Sequence, residues 1–283
     1  MIHIAWVTCE QYSDIHPNEK EAVDYLSEFF QITPVVWSIK TDWNLFDAIV
    51  IRTTWDYYKY PEKYLEWLSG LPPHKVFNRI STVTWNLNKR YLIELGSLGI
   101  PIVPTQYVEK NKNLDSISLA IQSLGVDRLV LKPALSAGAY KTQIIHKTDT
   151  INSMQYKNRD VLIQPYFNSI TLNGEVSLVY FLGNFSHSVL KRPKAGDFRV
   201  QTEFGGTITP HDASSAEINL GKLVHQKLLA LGFEMPLYSR VDILKDDQKY
   251  YLMELELIEP ELFFLKNKNA FENFKQALFI ALS

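Results

Sequence analysis

The sequence predicts an α/β protein that begins with a small open sheet, and three observations support this class. The N-terminal third alternates short apolar strands with helical patterns, which is typical of an open α/β sheet. A second alternation of strands and helices begins after Gly99 and Pro101. From Glu175 onward, strands follow one another across short turns, which favours antiparallel pairing.

Composition excludes several classes of protein. The chain has 283 residues, of which 46% are hydrophobic, enough for about two domains. Its formal charge of −2 gives no reason to expect a nucleic-acid partner, since such proteins usually carry a basic face. No apolar run approaches the ~18 residues that span a membrane, and the N-terminus lacks the pattern of a signal peptide. The single cysteine, Cys9, excludes an internal disulfide and is expected to be a small core residue. We therefore expect a cytoplasmic protein with no membrane partner.

The N-terminal region predicts three strands and two helices. These are strands Ile2–Val7, Val35–Trp37 and Ala48–Ile51, and helices Asn18–Phe30 and Glu62–Ser69. A polar segment follows the third strand, at the edge where open α/β sheets bind ligands. Its residues are Arg52, Thr53, Thr54, Trp55 and Asp56. They either contact a small polar substrate or form a capped turn over packed aromatic rings. No G-x-G-x-x-G follows the first strand, so a dinucleotide fingerprint is absent.

The middle region predicts a second group of elements and a loop of small residues. The elements are helices Asn88–Leu98 and Leu114–Leu124, and strands Ile102–Tyr107, Arg128–Leu131, Gln143–Ile145 and Val161–Gln164. The loop KPALSAGAYKT, residues 132–142, has backbone N–H groups that could approach a phosphate closely. Lys132 either contacts that phosphate or extends harmlessly from the sheet edge. The loop is not a P-loop, because G-x-x-x-x-G-K-[ST] is absent.

The C-terminal region predicts hairpins and two helices. A hairpin turns at Gly183-Asn184, and a helix begins at the capping box Ser214 to Glu217. The later elements are strands Tyr238–Leu244 and Tyr250–Leu257 and helix Asn269–Leu282.

Four glutamates stand among apolar residues in YYLMELELIEPELFF, residues 250–264. Glu254 and Glu256 share one face of the strand and would repel each other without a cation between them. If KDDQK forms a loop of five or three residues, Asp242 shares that face, ~7–8 Å from Glu254 between α-carbons. A two-residue turn would place Asp242 on the opposite face. Such oxygen ligands suit Mg²⁺, whereas the alternative is a set of glutamates facing water. Glu259 and Glu261 are expected to be loop charges, with Glu259 a candidate for supporting the ligands.

Several motifs together resemble a known superfamily. They are RTTWDY, WNLNKRYL, VLKPALSAGA, IQPY, GEVSLVYFLGNFSHSV, DFRVQTEFGGT, RVDIL and LMELELIEPELFF. In this order they are similar to the ATP-grasp carboxylate–amine ligases, in the branch of glutathione synthetase and the ribosomal S6 glutamate ligases. More narrowly, the chain resembles the cyclo-ligases of D-cycloserine biosynthesis. The resemblance implies an α+β ATP-grasp fold: a small parallel α/β domain on the substrate side (residues 1–86), then two α+β subdomains that clamp ATP. The small subdomain would cover residues 87–166, and the large one, with the metal site, residues 167–283.

The same resemblance implies ATP and one or two Mg²⁺ ions, with Mn²⁺ as a substitute. Contacts to the phosphates would come from Lys89, Lys132, Ser136, Ala137 and Gly138. The adenine would lie against Gln164, Pro165 and Tyr166, and the ribose against Glu175. The catalytic set would be Arg199 and Gln201, with Arg192 as a further cation, and the metal ligands Asp242, Glu254 and Glu256. Glu256 departs from the broader superfamily, where this ligand is commonly Asn, and it adds a negative charge.

The resulting hypothesis is an ATP- and Mg-dependent ligase. It would convert a carboxylate of a small amino-acid-like substrate into an acyl phosphate, which an amine of the same or a second molecule attacks. Alternatives are an intermolecular peptide-forming ligase, a kinase-like phosphotransferase, a nucleotide-binding regulator without turnover, and a plain structural protein. A homodimer is an expectation from the resemblance.

Overall fold

The computed structural model describes residues 1–110, 112, 114–149, 156 and 158–283. Within these residues the strands form three separate sheets, each built from a different part of the chain. None of the described helices is long and apolar enough to cross a membrane.

The N-terminal part forms the predicted small open sheet. Its strands are β1 (His3–Thr8), β2 (Gln31–Val36), β3 (Ala48–Thr53) and β4 (Val76–Phe77), and its helices are α1 (Pro17–Leu26), α2 (Pro61–Ser69) and α3 (Ile80–Asn86). The strand order is β2-β1-β3-β4, and all pairs are parallel. Every residue of β3 is buried, because helices and neighbouring chain cover both faces of such a sheet.

The middle part forms an antiparallel sheet. Its elements are α4 (Tyr91–Ser97), β5 (Gln106–Val108), α5 (Leu114–Ser123), β6 (Arg128–Pro133), β7 (Gln143–His146) and β8 (Val161–Pro165). The strand order is β5-β8-β6-β7. The first strand is shorter than the predicted Ile102–Tyr107, since Ile102 makes only an isolated bridge to Leu252.

The C-terminal part forms the largest sheet. Its elements are α6 (Ser169–Asn173), β9 (Glu175–Phe181), β10 (Asn184–Arg192), β11 (Thr207–Pro210), α7 (Ser215–Ala230), β12 (Tyr238–Asp246), β13 (Lys249–Glu256) and α8 (Ala270–Ala281). The strand order is β11-β10-β9-β12-β13, and all pairs are antiparallel. The predicted hairpin is present, but its turn lies at Leu182-Gly183, one residue before the predicted Gly183-Asn184, and both turn residues have positive φ, 47° and 73°, as a type I′ turn requires. The capping box of Ser214 and Glu217 is also confirmed.

One core cluster joins the first and last sheets. Trp6 of β1 packs edge-on against Phe274 of α8, with ring centroids 6.2 Å apart, and Phe181 of β9 lies 5.0 Å from the same ring. The C-terminal helix therefore fixes the N-terminal sheet against the C-terminal sheet. The three sheets fall inside the predicted ranges 1–86, 87–166 and 167–283, but the boundaries themselves stay a prediction.

The register of β12 against β13 differs from both predicted alternatives. The turn contains two residues, Asp247 and Gln248, and a bulge between Asp242 and Ile243 shifts the pairing, leaving Met253 without a partner. Asp242 therefore lies directly opposite Glu254 rather than diagonal to it. The two-residue turn alone would have turned Asp242 away, and the extra residue of the bulge reverses that effect.

Candidate active site

A cavity of about 480 Å³ lies where the three sheets meet. Its wall includes residues that follow β3, the loop after β6, the end of β8, and the faces of β9, β12 and β13. Most of the predicted site residues contribute to this wall. They are Trp55, Asp56, Lys89, Lys132, Ser136, Ala137, Gly138, Gln164, Pro165, Tyr166, Glu175, Arg199, Gln201, Asp242, Glu254 and Glu256. The fold thus brings together side chains that are up to two hundred positions apart in sequence, and the role of each stays a proposal.

Asp242 is the most deeply buried carboxylate of the cavity, with 2% exposure. It accepts hydrogen bonds from Ser177 Oγ at 2.5 Å, Arg240 Nη2 at 2.9 Å and Lys191 Nζ at 3.1 Å. Burial opposes ionisation, but Arg240 and Lys191 outweigh it and hold the pKa of Asp242 well below its usual range. Asp242 is therefore a fixed anion in the centre of the site.

The two glutamates of β13 have unequal surroundings. Glu254 lies 3.1 Å from Lys89 Nζ; burial would raise its pKa, but Lys89 and Lys132 lower it below the ordinary value. Glu256 pairs with Arg240. Burial nevertheless raises the pKa of Glu256 to about 8, because Arg240 is opposed by the neighbouring Glu254 and Asp242 carboxylates. Around Glu256, the negative charges of the neighbouring carboxylates therefore outnumber the positive charge that Arg240 supplies.

The donor set fits a divalent cation in its chemistry. Asp242, Glu254 and Glu256 offer only oxygen ligands, which Mg²⁺ prefers. In the described part of the chain, however, no group of three His, Cys, Asp or Glu side chains is already arranged to hold a metal. Each of these carboxylates is instead paired with a lysine or arginine side chain. Metal binding would require those ion pairs to rearrange.

Lys89 connects the small-residue loop to the acidic strand. Its Nζ donates to the carbonyl of Ser136 at 2.6 Å and pairs with Glu254 on its other side. Gly138 has a φ of 58° with open space where a side chain would project, so the loop presents backbone to the cavity. Lys132 adds a second ammonium, whose pKa burial lowers and Glu254 partly restores. Together they form a cationic wall suited to phosphate.

Four predicted site residues do not line the cavity, so their predicted positions in the site are wrong. Arg52, Thr53 and Thr54 are completely buried and absent from the cavity wall. Arg192 is exposed and also lies outside the wall. Side chains alternate along a strand, so the residue before it, Lys191, faces the cavity instead.

Sequence reasoning missed two buried cations, Lys191 and Arg240. Lys191 lies opposite Glu175 across β9 and β10 and pairs with it. Arg240 precedes Asp242 by two positions on the same strand, so it shares the Asp242 face. That spacing was visible in YSRVDIL and could have identified Arg240.

Arg52 and Trp55 of the RTTWD segment contact the backbone of the acidic loop, which we define as residues 257–262. Each carbonyl of this loop accepts a hydrogen bond from a different side chain. The donors, from Leu257 to Leu262, are Asn78 Nδ2 (2.7 Å), Tyr238 Oη (2.9 Å), Trp55 Nε1 (2.8 Å), Arg52 Nη2 (2.7 Å), Arg240 Nη1 (3.4 Å) and His187 Nε2 (2.9 Å). The N-terminal part and the C-terminal sheet, with three donors each, therefore hold the loop that carries Glu259 and Glu261 between them.

We expect His187 to make stability depend on pH. Burial lowers its pKa to about 4, against the effect of its hydrogen bonds to the backbone. An unfolded histidine has a pKa of about 6.5, so the unfolded state binds the proton more readily. The neutral His187 side chain therefore makes its full contribution to the free energy of unfolding above about pH 6.5. This contribution is lost as the pH falls towards 4, by about 2 kcal/mol between pH 7 and pH 5.

Urea unfolding of the wild type and His187→Gln at pH 7 and pH 5 measures this effect. The variant should lose less stability on acidification, while the exposed His74→Gln should behave like the wild type. An equal loss in wild type and His187→Gln would contradict the prediction.

If Lys132 contacts phosphate, as the sequence predicts, Lys132→Ala should weaken ATP binding roughly tenfold to a hundredfold, since one charged hydrogen bond contributes about 1.5–3 kcal/mol. Calorimetry with a non-hydrolysable ATP analogue measures the affinity. Lys147→Ala is a matched control, because Lys147 is exposed and pairs with Asp127 away from the cavity. Equal affinity of Lys132→Ala and wild type would remove Lys132 from the phosphate wall.

The three sheets, with the cavity where they meet, have the architecture of the ATP-grasp fold. Solved structures confirm the fold. A crystal structure of D-cycloserine synthetase DcsG matches with a TM-score of 0.86 and 23% identity, over 99% of this chain and 100% of that one. The D-alanine–D-alanine ligase from Bacillus anthracis complexed with ATP matches with a TM-score of 0.67 and 16% identity, over 100% and 97% of the two chains.

Sequence comparison points to one group within that class. The chain is 27% identical over 256 residues to the cycloserine biosynthesis protein DcsG of Streptomyces lavendulae, covering 84% of each chain. The family described as D-cycloserine synthetase DcsG, N-terminal domain, matches residues 4–78. The predicted resemblance to ATP-grasp ligases of the cycloserine pathway is therefore confirmed, and the comparisons support an ATP-dependent ligase.

Proposed function

We propose that the protein is an ATP- and Mg-dependent carboxylate–amine ligase acting on a small amino-acid-like substrate. One observation carries this proposal. The cationic wall of Lys89 and Lys132, together with Lys191, lies in the same cavity as Asp242 and Glu254. Phosphoryl transfer depends mainly on alignment and on neutralising charge, and this arrangement can supply both.

Each part of the cavity has a role in this proposal. Lys89 and Lys132 bind the phosphates, and the loop Ser136–Gly138 covers them. The segment 164–166 holds the adenine and Glu175 the ribose, once its pair with Lys191 opens. Asp242, Glu254 and Glu256 bind Mg²⁺, which neutralises charge on the phosphates, and Mn²⁺ is expected to substitute for it.

The chemistry follows from the weakness of a carboxylate as an electrophile. Transfer of the terminal phosphoryl group of ATP makes an acyl phosphate, which an amine can attack. Arg240 lies buried beside Asp242 and Glu256, so it can stabilise negative charge on the reacting acyl oxygen, with Arg199 and Gln201 on the adjacent wall. A cavity of about 480 Å³ leaves room for only a small substrate beside the nucleotide.

The proposal extends to an intramolecular reaction. Both the matching family model and the solved structure with a TM-score of 0.86 are described as D-cycloserine synthetase. An intermolecular ligation is the second candidate, supported by the fold match to D-alanine–D-alanine ligase. A homodimer and a cytoplasmic location stay predictions.

ADP release with Mg–ATP over a panel of amino acids and ureido-serine analogues tests the function. A cyclo-ligase releases ADP with a single compound that carries both carboxylate and nitrogen, whereas an intermolecular ligase needs two compounds. A kinase-like enzyme would leave a stable phosphorylated product, and a regulator would bind ATP without releasing ADP. Either of the last two results would overturn the proposal.

A further inference from the structure

Glu259 differs from the other buried carboxylates of the cavity. Glu175, Asp242 and Glu259 are each less than a tenth exposed and line the same wall. Glu175 pairs with Lys191, and Asp242 pairs with Lys191 and Arg240. Among the described contacts, the Glu259 carboxylate has neither an ion pair nor a hydrogen bond to another side chain, and its one hydrogen-bond partner is its own backbone N–H. Burial of a carboxylate without a cationic partner is unfavourable, so such a residue usually has a functional role in binding or catalysis.

The backbone around Glu259 is fixed independently of its side chain. Its own carbonyl accepts from Trp55 Nε1 at 2.8 Å, and the carbonyls on either side accept from Tyr238 Oη at 2.9 Å and Arg52 Nη2 at 2.7 Å. All three donors are anchored in packed parts of the molecule, and Arg52 and Tyr238 are completely buried. The backbone that carries Glu259 is therefore held at the cavity wall, while no other side chain occupies its carboxylate, which can still accept from a ligand.

We propose that Glu259 is a catalytic residue that accepts the proton of the attacking nitrogen. This inference rests on the proposed ligase function. When the nitrogen attacks the acyl phosphate, the C–N bond forms and the C–O bond to phosphate breaks. Inorganic phosphate leaves with the electron pair of that bond. The nitrogen attacks as a neutral –NH2 group, so it must lose one proton to end as a neutral amide, and this proton moves to a carboxylate oxygen of Glu259.

The neighbouring carboxylates are less suited to this role. Glu254 contacts Lys89, and Glu256 contacts Arg240, so each already has a cationic side chain as its partner. Glu261 accepts a hydrogen bond from Asn18 Nδ2 at 2.8 Å. Glu259 therefore combines burial, a fixed position and a free carboxylate.

Glu259→Gln separates activation from nitrogen attack. We expect the variant to form the ligated or cyclised product at least about a hundredfold more slowly than the wild type. It should still form the acyl phosphate, which added hydroxylamine traps as a hydroxamate, because hydroxylamine is a strong nucleophile present in excess and can lose its proton to bulk water or buffer. The KM for ATP should stay near the wild-type value. Glu234→Gln, at an exposed residue that pairs with Arg79, is the matched control.

Each outcome has a defined meaning. Wild-type product formation in Glu259→Gln would overturn the inference, and so would equal loss of product and hydroxamate, since Glu259 would then act in activation. Absence of hydroxamate and ADP in the wild type would instead overturn the proposed ligase function. If Glu259→Gln fails to fold, Glu259→Asp serves the same comparison, with slower product formation and unchanged trapping expected and with unchanged product formation overturning the inference.

Discussion

Glu254→Gln is expected to lower ADP formation by about a thousandfold while leaving the fold intact. Glu254 lies opposite Asp242 across β12 and β13 and contacts Lys89 at 3.1 Å. A neutral amide at this position removes one anionic oxygen ligand from the proposed metal site. Loss of a charge-neutralising metal contact costs about 4 kcal/mol of transition-state stabilisation, which corresponds to roughly three powers of ten in rate.

The fold should tolerate this change because the side chain of Glu254 is 29% exposed and the amide oxygen can still accept from Lys89. The measurements are ADP release under saturating Mg–ATP and the midpoint of thermal unfolding. Glu66→Gln, an exposed position on α2, is the control for the substitution itself. Turnover at the wild-type rate in Glu254→Gln would remove the metal role from this carboxylate.

The acidic cluster could be predicted from sequence because period-two alternation places Glu254 and Glu256 on one face of a strand. The relation of Asp242 to them could not be predicted in detail. It depends on one extra residue, Met253, which forms a bulge in β13 and reverses the effect of a two-residue turn. A bulge leaves no clear local signal in the alternation of apolar and acidic residues, so both predicted registers were wrong. The prediction that Asp242 shares a face with Glu254 was nevertheless right.

The RTTWD segment shows a second limit of prediction from sequence, which concerns contacts between distant parts of the chain. Its position at the C-terminal end of β3 predicts a ligand-binding edge, and Trp55 and Asp56 do line the cavity. Arg52 instead extends inward to Glu19 and to the carbonyl of Pro260. That partner lies 208 positions away in the sequence, and local patterns carry no information on such a contact. The position of an arginine at a strand end therefore could not distinguish substrate contact from support of the acidic loop.

Arg52→Met is expected to lower the free energy of unfolding by about 3–5 kcal/mol. Arg52 is completely buried, and its Nε and Nη2 both donate to Glu19 Oε1, at 3.1 and 2.5 Å. Glu19 is 3% exposed and also accepts from Trp6 Nε1. Methionine fills much of the arginine volume but leaves the Glu19 carboxylate without its countercharge and the Pro260 carbonyl without its donor.

The double variant Arg52→Met/Glu19→Gln separates loss of charge from loss of packing. The neutral amide that replaces the Glu19 carboxylate no longer needs a cation, so the double variant should be more stable than Arg52→Met alone. Arg90→Met is the control, because Arg90 is more than half exposed and lies 4.0 Å from Glu109, where an ion pair contributes about 0–1 kcal/mol. Urea unfolding of all four proteins gives the comparison. A double variant less stable than Arg52→Met would show that packing around this residue, rather than the unpaired Glu19 charge, is what the substitution disturbs.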